Sequence, residues 1–464
     1  MLNLKDKGPI IPVIVSILIF VSFFGLNRGL WWDEAVYLSL AGSIHDGGGY
    51  FINTGEEAFR PPLLPAIAAG VWGITGPSPA AVMWLPVLFG ILAVGMTYAL
   101  ARRLFSGRVA FWSSLMLGTS FNFLFFGERF LTETLFIFLG TLSVYLFWEG
   151  LWGRKHMFPA AGAAMALAFL TRYAGILLMG LFLLYAVKDR KLRKREYWYG
   201  PAVFAIMLLP WLAASISSYG SAIGTLIEAS MMVDAEFYNY PAYFYLLRWF
   251  NIFGLVGAFA VPGFYLMLKR HGKGDLPVGF LIGASLLFFM FLVQRKEERY
   301  LMHFFSFFYI AMGIGVDWLM KRTGRRRLVA MVAAVLIIAN VVTAAVVMSD
   351  TRLSSYALTR AGEYLSGKEG AILSNSYPVL HYLSGMKVYD LPDSPDDLDD
   401  LIREKGITFI VIDRYEPTYP EWSRTEDGTP SPAMHRFALE KEFWESGRNV
   451  VWIFRTDEQL HFYS

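Results

Sequence analysis

The chain has 464 residues, 55% of them hydrophobic and 17% aromatic, with only 17% charged and a formal net charge of +3. Apolar residues gathered in runs near the ~20 that cross a bilayer exclude a soluble globular protein and predict a polytopic membrane protein in contact with lipid. The absence of cysteine excludes disulfides, thiolate nucleophiles and cysteine metal sites, and no nucleic-acid partner is expected.

Hydropathy predicts eleven spans, at about 9–30, 81–101, 109–126, 131–149, 158–171, 174–187, 199–218, 243–268, 276–293, 300–320 and 328–348. The first run is too long for a signal-peptide core and is read as a retained span. The fifth and sixth are short and meet at Thr171-Arg172-Tyr173-Ala174-Gly175, as a tight hairpin or one broken element. With the N-terminus in the cytoplasm, alternation puts twenty-one Lys and Arg on inside segments and eight outside, as the positive-inside rule requires. The outside cations are Arg28, Arg60, Arg129, Arg172, Arg248, Arg295, Lys296 and Arg299. An odd number of spans then places everything after Ser349 outside, in an integral plasma-membrane protein.

The first outer loop, 31–80, opens with Trp31-Trp32-Asp33-Glu34-Ala35-Val36-Tyr37-Leu38-Ser39-Leu40. Glu34 to Ile44 is predicted as a helix lying on the membrane, with Val36, Leu40 and Ile44 on one face. Gly47-Gly48-Gly49 ends it, and Arg60-Pro61-Pro62-Leu63-Leu64-Pro65 turns the chain back toward the second span. In the second outer loop, 219–242, Met231 to Tyr240 is predicted to lie at the interface, against lipid or substrate. Past Asp350 the composition changes. Helices are predicted over 351–366, 377–384, 395–405 and 432–442, and strands over 371–374, 387–389, 407–412 and 449–454. This alternation predicts a small extracytoplasmic α/β domain, 350–464, with a largely parallel sheet, appended to a membrane domain over 1–349. The acidic run 393–400 reads as helix capping by Ser394 and Pro395 rather than as a cation site. No phosphate loop or dinucleotide fingerprint is present.

Two adjacent carboxylates at the mouth of a span are costly beside lipid. Asp33 as a helix N-cap is the plain reading; a reactive acid pair is the other. Arg60 pairs with those acids or holds a phosphate, for which its planar fork is suited. Glu128-Arg129 reads as an exposed, self-paired cap. Glu133, at the start of a span, is expected to be buried with a partner. Arg172 sits between two short apolar runs. In the mixed cluster 295–299, Arg295 and Lys296 read as snorkelling residues, whereas Arg299 is the better site candidate. His303 reads as packed core. No histidine spacing supports zinc, and a divalent cation held by Asp33, Glu34 and Glu133 is left open. Carboxylates and arginines gathered at one membrane face suggest a reaction on an anionic lipid, the acids taking a proton and the arginines holding a phosphate leaving group.

Asp33-Glu34-Ala35-Val36-Tyr37, Arg60-Pro61-Pro62-Leu63, Thr132-Glu133, Thr171-Arg172 and Arg299-Tyr300-Leu301 stand in order over residues 10–320. In this the chain resembles the GT-C membrane glycosyltransferases of the protein O-mannosyltransferase and aminoarabinose transferase type, in an archaeal-looking form. Glu133 stands where Asp is more usual, and Val36 where aminoarabinose transferases often carry Arg. The resemblance implies transfer of a sugar, with mannose on a dolichyl or other polyprenyl phosphate the first choice, to a hydroxyl of a protein or glycolipid acceptor. The transfer would be a single inverting displacement on the extracytoplasmic face. It implies Asp33 as the base, Glu34 positioning it, and Glu133 as a supporting or acceptor contact. Arg60, Arg172, Arg299 and Tyr300 would hold the donor phosphate. An oligosaccharyltransferase is the enzymatic alternative, although its Trp-Trp-Asp signature lies in a soluble C-terminal domain and Trp31-Trp32-Asp33 lies in the first loop. A lipid or sugar transporter is the non-enzymatic alternative, against which stands the lack of an inverted repeat.

Overall fold

A computed structural model describes residues 10–26, 29–52, 55–56, 59–188, 194–232, 240–349 and 355–459. Arg28, Asp350, residues 189–193 of the basic third inside loop and residues 233–239 of the second outer loop lie outside the described residues. The chain forms two compact units. The first comprises Met1–Phe24, Ala58–Leu64 and Ala80–Val346, and the second Gly25–Glu57, Pro65–Pro79 and Val347–Ser464. Residues 25–57 and 65–79, grouped with the membrane spans by sequence, thus fold with the C-terminal segment.

In the first unit six helices among the described residues are long and apolar enough to cross a membrane: Pro79–Leu104, Glu133–Leu151, Arg195–Tyr219, Asp275–Leu292, Glu298–Thr323 and Arg326–Met348. Gly107–Gly118 and Phe121–Gly127, bent by 56°, make a seventh if taken as one span. The bend falls where Thr119 turns its hydroxyl back onto the Leu115 carbonyl, 2.7 Å away, an arrangement that bends helices. Ile10–Phe23, Met157–Phe169 and Tyr173–Lys188 are apolar but shorter. The expected span 243–268 is broken: Phe244–Leu247 and Trp249–Phe253 end at Gly254, whose φ of 65° stops the helix before a 3₁₀ turn and Ala260–Arg270. Among the described residues the count of eleven is therefore not confirmed, because hydropathy measures apolar content and not unbroken helix.

Glu298–Thr323 is the central helix of this unit, buried without interruption from Tyr300 to Asp317. Glycines let its neighbours close on it. A Cβ on Gly315 would stand 2.0 Å from the Phe259 carbonyl oxygen, and one on Gly263 equally near that of Ala311. Ser306 joins three spans through its hydroxyl, 2.8 Å from Thr97 Oγ1 and 2.7 Å from Thr141 Oγ1. Small residues and shared hydroxyls are how helices associate where lipid provides no hydrophobic drive.

The second unit contains a short ladder of β1, Phe51–Ile52, with β2, Gly55–Glu56. Its main sheet consists of β3, Ala371–Leu373; β4, Lys387–Tyr389; β5, Ile407–Asp413; β6, Phe437–Glu445; and β7, Arg448–Gln459, in the order β4-β3-β5-β7-β6. β3 runs parallel to β4 and β5, while β7 is antiparallel to β5 and β6, so the sheet is mixed rather than largely parallel. The expected helix 432–442 is a 3₁₀ turn, Pro432–Arg436, followed by β6. Its helix-forming residues are overridden by a tight hairpin at Ser446 and Gly447, both at positive φ, and by burial of Phe437 and Phe443. Alternating residues of β5 face opposite layers. Phe409 and Val411 pack with Leu358, Leu365, Val379 and Leu380 of the helices Tyr356–Leu365 and Tyr377–Ser384. Ile410 and Ile412 pack with Leu398 of Leu398–Lys405. A 3₁₀ turn, Pro395–Asp397, leads into that helix and is capped as expected, with Ser394 Oγ accepting from the Asp396 amide.

The helix expected over 34–44 runs from Trp32 to His45. It does not present one face to a membrane and the other to water, since Glu34 to Leu38, Leu40 and Ala41 are all buried. Ala35 belongs to the same apolar layer as Leu358 and Val451. The Trp32 and Tyr377 rings meet edge to face at 5.4 Å, and the Leu30 amide donates to Thr359 Oγ1 at 2.9 Å.

Candidate functional site

Glu133 opens the helix Glu133–Leu151 and is fully buried. A carboxylate in the first turn is favoured by the helix dipole, but burial demands a counter-charge as well. Arg172 supplies it. The helix Met157–Phe169 ends with the Arg172 amide donating to the Ala168 carbonyl at 2.9 Å, and Arg172 itself is extended, with φ −153°. The chain then doubles back through Tyr173–Gly175, where a Cβ on Gly175 would meet the Phe169 amide nitrogen at 2.6 Å; only glycine permits that approach. The short runs on either side are thus a tight hairpin. The turn aims the guanidinium so that Arg172 Nη2 donates to Glu133 Oε1 at 2.5 Å and Nε to Thr132 Oγ1 at 2.6 Å.

Arg299 comes from the start of the central helix. Its Nη1 is 4.0 Å from Glu133 Oε1, and its Nε donates to Glu297 Oε2 at 2.5 Å. Glu297 Oε1 in turn accepts from Arg295 Nε at 2.6 Å and from the Tyr300 hydroxyl at 3.2 Å. Just before this segment the ladder of Asp275–Leu292 widens to a π turn, with the Val293 amide on the Phe288 carbonyl; such turns often occur at functional sites. Arg60 is attached to the Arg172 turn through its neighbours. The Tyr173 hydroxyl donates to the Phe59 carbonyl at 2.7 Å, and the Leu63 amide to the Leu170 carbonyl at 3.0 Å.

Of the residues singled out by sequence, Glu133, Arg172, Arg299 and Tyr300 come together, and Arg60 is tied to the same turn. Asp33 and Glu34 belong to the other unit. There Trp31 is the N-cap and Asp33 occupies the second helical position, so the N-cap reading of Asp33 is corrected. Glu34 Oε2 accepts the Trp31 amide at 2.9 Å, the return half of a capping box. Glu128 and Arg129 are not an exposed cap: they are 6% and 1% exposed. Burial pushes the Glu128 carboxyl up to about 8, against a smaller lowering by Arg129. Lys296 does not snorkel either; it is buried, with Nζ donating to the Gln294 carbonyl at 3.1 Å. His303 is packed, its ring 5.0 Å from that of Phe136 and 5.9 Å from that of Phe289. Sequence reasoning missed Glu297, which fixes Arg295, Arg299 and Tyr300 together. The available signal was an acid flanked at two residues on each side by arginine.

Three guanidiniums, those of Arg172, Arg295 and Arg299, share two carboxylates in this group. A cluster with that balance, its arginines held in place by the buried Glu133 and the half-buried Glu297, is chemically suited to a phosphate. Among the described residues no three His, Asp or Glu side chains converge, and Glu133 is already engaged by guanidiniums.

The structure thus defines a bundle of helices, at least six of them long and apolar enough to cross a membrane, with an ionic cluster built at one set of helix ends, and a mixed α/β sheet unit. Residues 59–213 match the family described as dolichyl-phosphate-mannose-protein mannosyltransferase. ArnT from Cupriavidus metallidurans, solved bound to undecaprenyl phosphate, superposes with a TM-score of 0.67 at 14% identity, covering 97% of this chain and 98% of that one. The archaeal oligosaccharyltransferase AglB from Archaeoglobus fulgidus, solved with an inhibitory peptide and a dolichol-phosphate, superposes with a TM-score of 0.63 at 12% identity, covering 96% and 74%. An uncharacterized protein of Aquifex aeolicus (strain VF5) is 26% identical over 318 residues, 65% of this chain and 58% of that one, so the match spans less than two thirds of that relative. The chain thus shares its fold with ArnT and AglB over nearly its whole length.

Proposed function

We propose that this protein transfers a sugar from a polyprenyl-phosphate donor to a hydroxyl acceptor at the extracytoplasmic face of the membrane. The observation that carries the reading is the buried acid Glu133 held by Arg172 and approached by Arg299 at one end of the bundle. Such a group accepts the charge of a lipid phosphate as it leaves. The family match over 59–213 and the lipid phosphates bound by ArnT and AglB support the same donor class. The family description favours mannose as the sugar and a protein as the acceptor.

In the proposed step the acceptor oxygen attacks the anomeric carbon as its proton passes to the Asp33 carboxylate. The bond from that carbon to the phosphate oxygen breaks, its electron pair leaves with the lipid phosphate, and the anomeric centre inverts. Arg60, Arg172 and Arg299 stabilise the departing charge, with Tyr300 held beside them by Glu297. Glu34 positions the helix start that carries Asp33. A phosphate leaves readily, so no strong general acid is required. Asp33→Asn is expected to abolish isotope transfer from a labelled polyprenyl-phosphate sugar while donor lipid still binds. Transfer at near the wild-type rate by that variant would remove Asp33 from the role of base.

A further inference from the structure

The opposite end of the same bundle holds a cavity of about 420 Å³. The helix Glu133–Leu151 separates the two places: Glu133 starts it, and Trp148 near its end lines the cavity, about 22 Å away at 1.5 Å per residue. The charge distribution assigns this end to the cytoplasm. The volume falls within the about 300–1,000 Å³ of small-ligand sites.

Its walls carry Arg103, Arg270, Lys273 and Lys321 against one carboxylate, Asp317, with Trp152 beside them. Three nearly buried acids hold the surrounding cations in place. Glu149 engages Arg103 and Arg154, Asp275 engages Arg270 through both oxygens, and Asp317 engages Arg108 at 2.7 Å and Lys321 at 2.5 Å. Lys273 differs from these. Among the described residues it has no carboxylate partner, and its Nζ lies 4.3 Å from the centroid of the Trp152 ring. Gly274 allows that placement, because a Cβ there would stand 2.8 Å from the Leu104 carbonyl oxygen, so glycine lets the Lys273 loop seat on the end of Pro79–Leu104.

A cytoplasmic excess of Lys and Arg follows from membrane topology alone. Topology does not call for a cavity, nor for buried carboxylates that spend themselves on the arginines and leave a lysine unmatched. We propose that this cavity binds a phosphate group, carried by the headgroup of an anionic phospholipid of that leaflet or by a soluble phosphate compound. Basic pockets between transmembrane helices on the cytoplasmic side take such headgroups.

The test uses the full-length protein, delipidated in neutral detergent, in native mass spectrometry. It is titrated with phosphatidylglycerol, with phosphatidylcholine and, separately, with inorganic phosphate. Wild type is expected to retain phosphatidylglycerol above phosphatidylcholine. Lys273→Gln should bind phosphatidylglycerol about fivefold more weakly, the effect of one cation near the surface. Lys273→Arg should restore it, and Lys321→Gln, on the central helix, should weaken it too. A Lys273 dependence seen with inorganic phosphate and not with phosphatidylglycerol assigns the site to a soluble phosphate compound. Binding of both probes unchanged by Lys273→Gln and Lys321→Gln overturns the proposal. Sugar transfer by Lys273→Gln is expected to equal wild type, so this test and that of Asp33 fail independently.

Discussion

The buried pair of Glu133 and Arg172 gives the sharpest prediction. Arg172→Gln leaves a fully buried carboxylate without its 2.5 Å partner and Thr132 without its donor at 2.6 Å. Removing one member of a buried pair costs about 3–5 kcal/mol. The loss belongs at the low end, about 3 kcal/mol, because Arg299 remains 4.0 Å from the same oxygen and Arg172 is itself partly accessible. Glu133→Gln keeps an acceptor but removes the charge between two guanidiniums, so a loss of about 2 kcal/mol is expected, at the level of one charged hydrogen bond. In the double variant neither charge is stranded, and the two losses should fall short of their sum by about 2 kcal/mol, within the range measured for contacting residues. Unfolding of wild type, both single variants and the double variant in one detergent closes the cycle. Losses that add within 0.5 kcal/mol, as distant sites do, would refute the pairing on which the site rests.

Other predictions follow from packing and burial. Gly315→Ala should destabilise by about 3 kcal/mol, at the upper end for overpacking, because its Cβ meets the Phe259 carbonyl at 2.0 Å. Gly73→Ala, in the helix Leu63–Thr75 with nothing within 4 Å of the new Cβ, should instead gain about 0.5–1 kcal/mol; equal melting shifts for the two would contradict both. Glu128 holds its proton up to about pH 8 when folded and, like an ordinary carboxyl, loses it near 4.5 when unfolded. Between those values the folded state binds more protons, so stability falls as pH rises, by at most about 1.4 kcal/mol per pH unit. Glu128→Gln should flatten that decline between pH 5.5 and 8, and an unchanged slope of melting temperature against pH would show the carboxyl to be solvated.

Sequence and structure divide the description by the range of the forces involved. The positions of the six long apolar helices among the described residues, the boundaries of Tyr377–Ser384 and Lys387–Tyr389, and the capping at Ser394 were legible because hydropathy, helix caps and turn residues act over a few neighbours. The candidates Glu133, Arg172 and Arg299 were legible because a charge at the end of an apolar run is costly wherever the chain goes. Their partners were not. Arg172 meets Glu133 across 39 residues of sequence, and Ser306 joins Thr97 across 209, distances over which local pattern carries no information. Burial of Glu128 and Lys296, the break at Gly254 and the conversion of a helix-favouring stretch into β6 were likewise decided by what packs around them. Hydropathy and charge along the chain mark which residues must avoid lipid and which water; folding in three dimensions chooses which opposite charge each one reaches, because a buried charge is stabilised by a partner brought near in space and not by its neighbours along the chain.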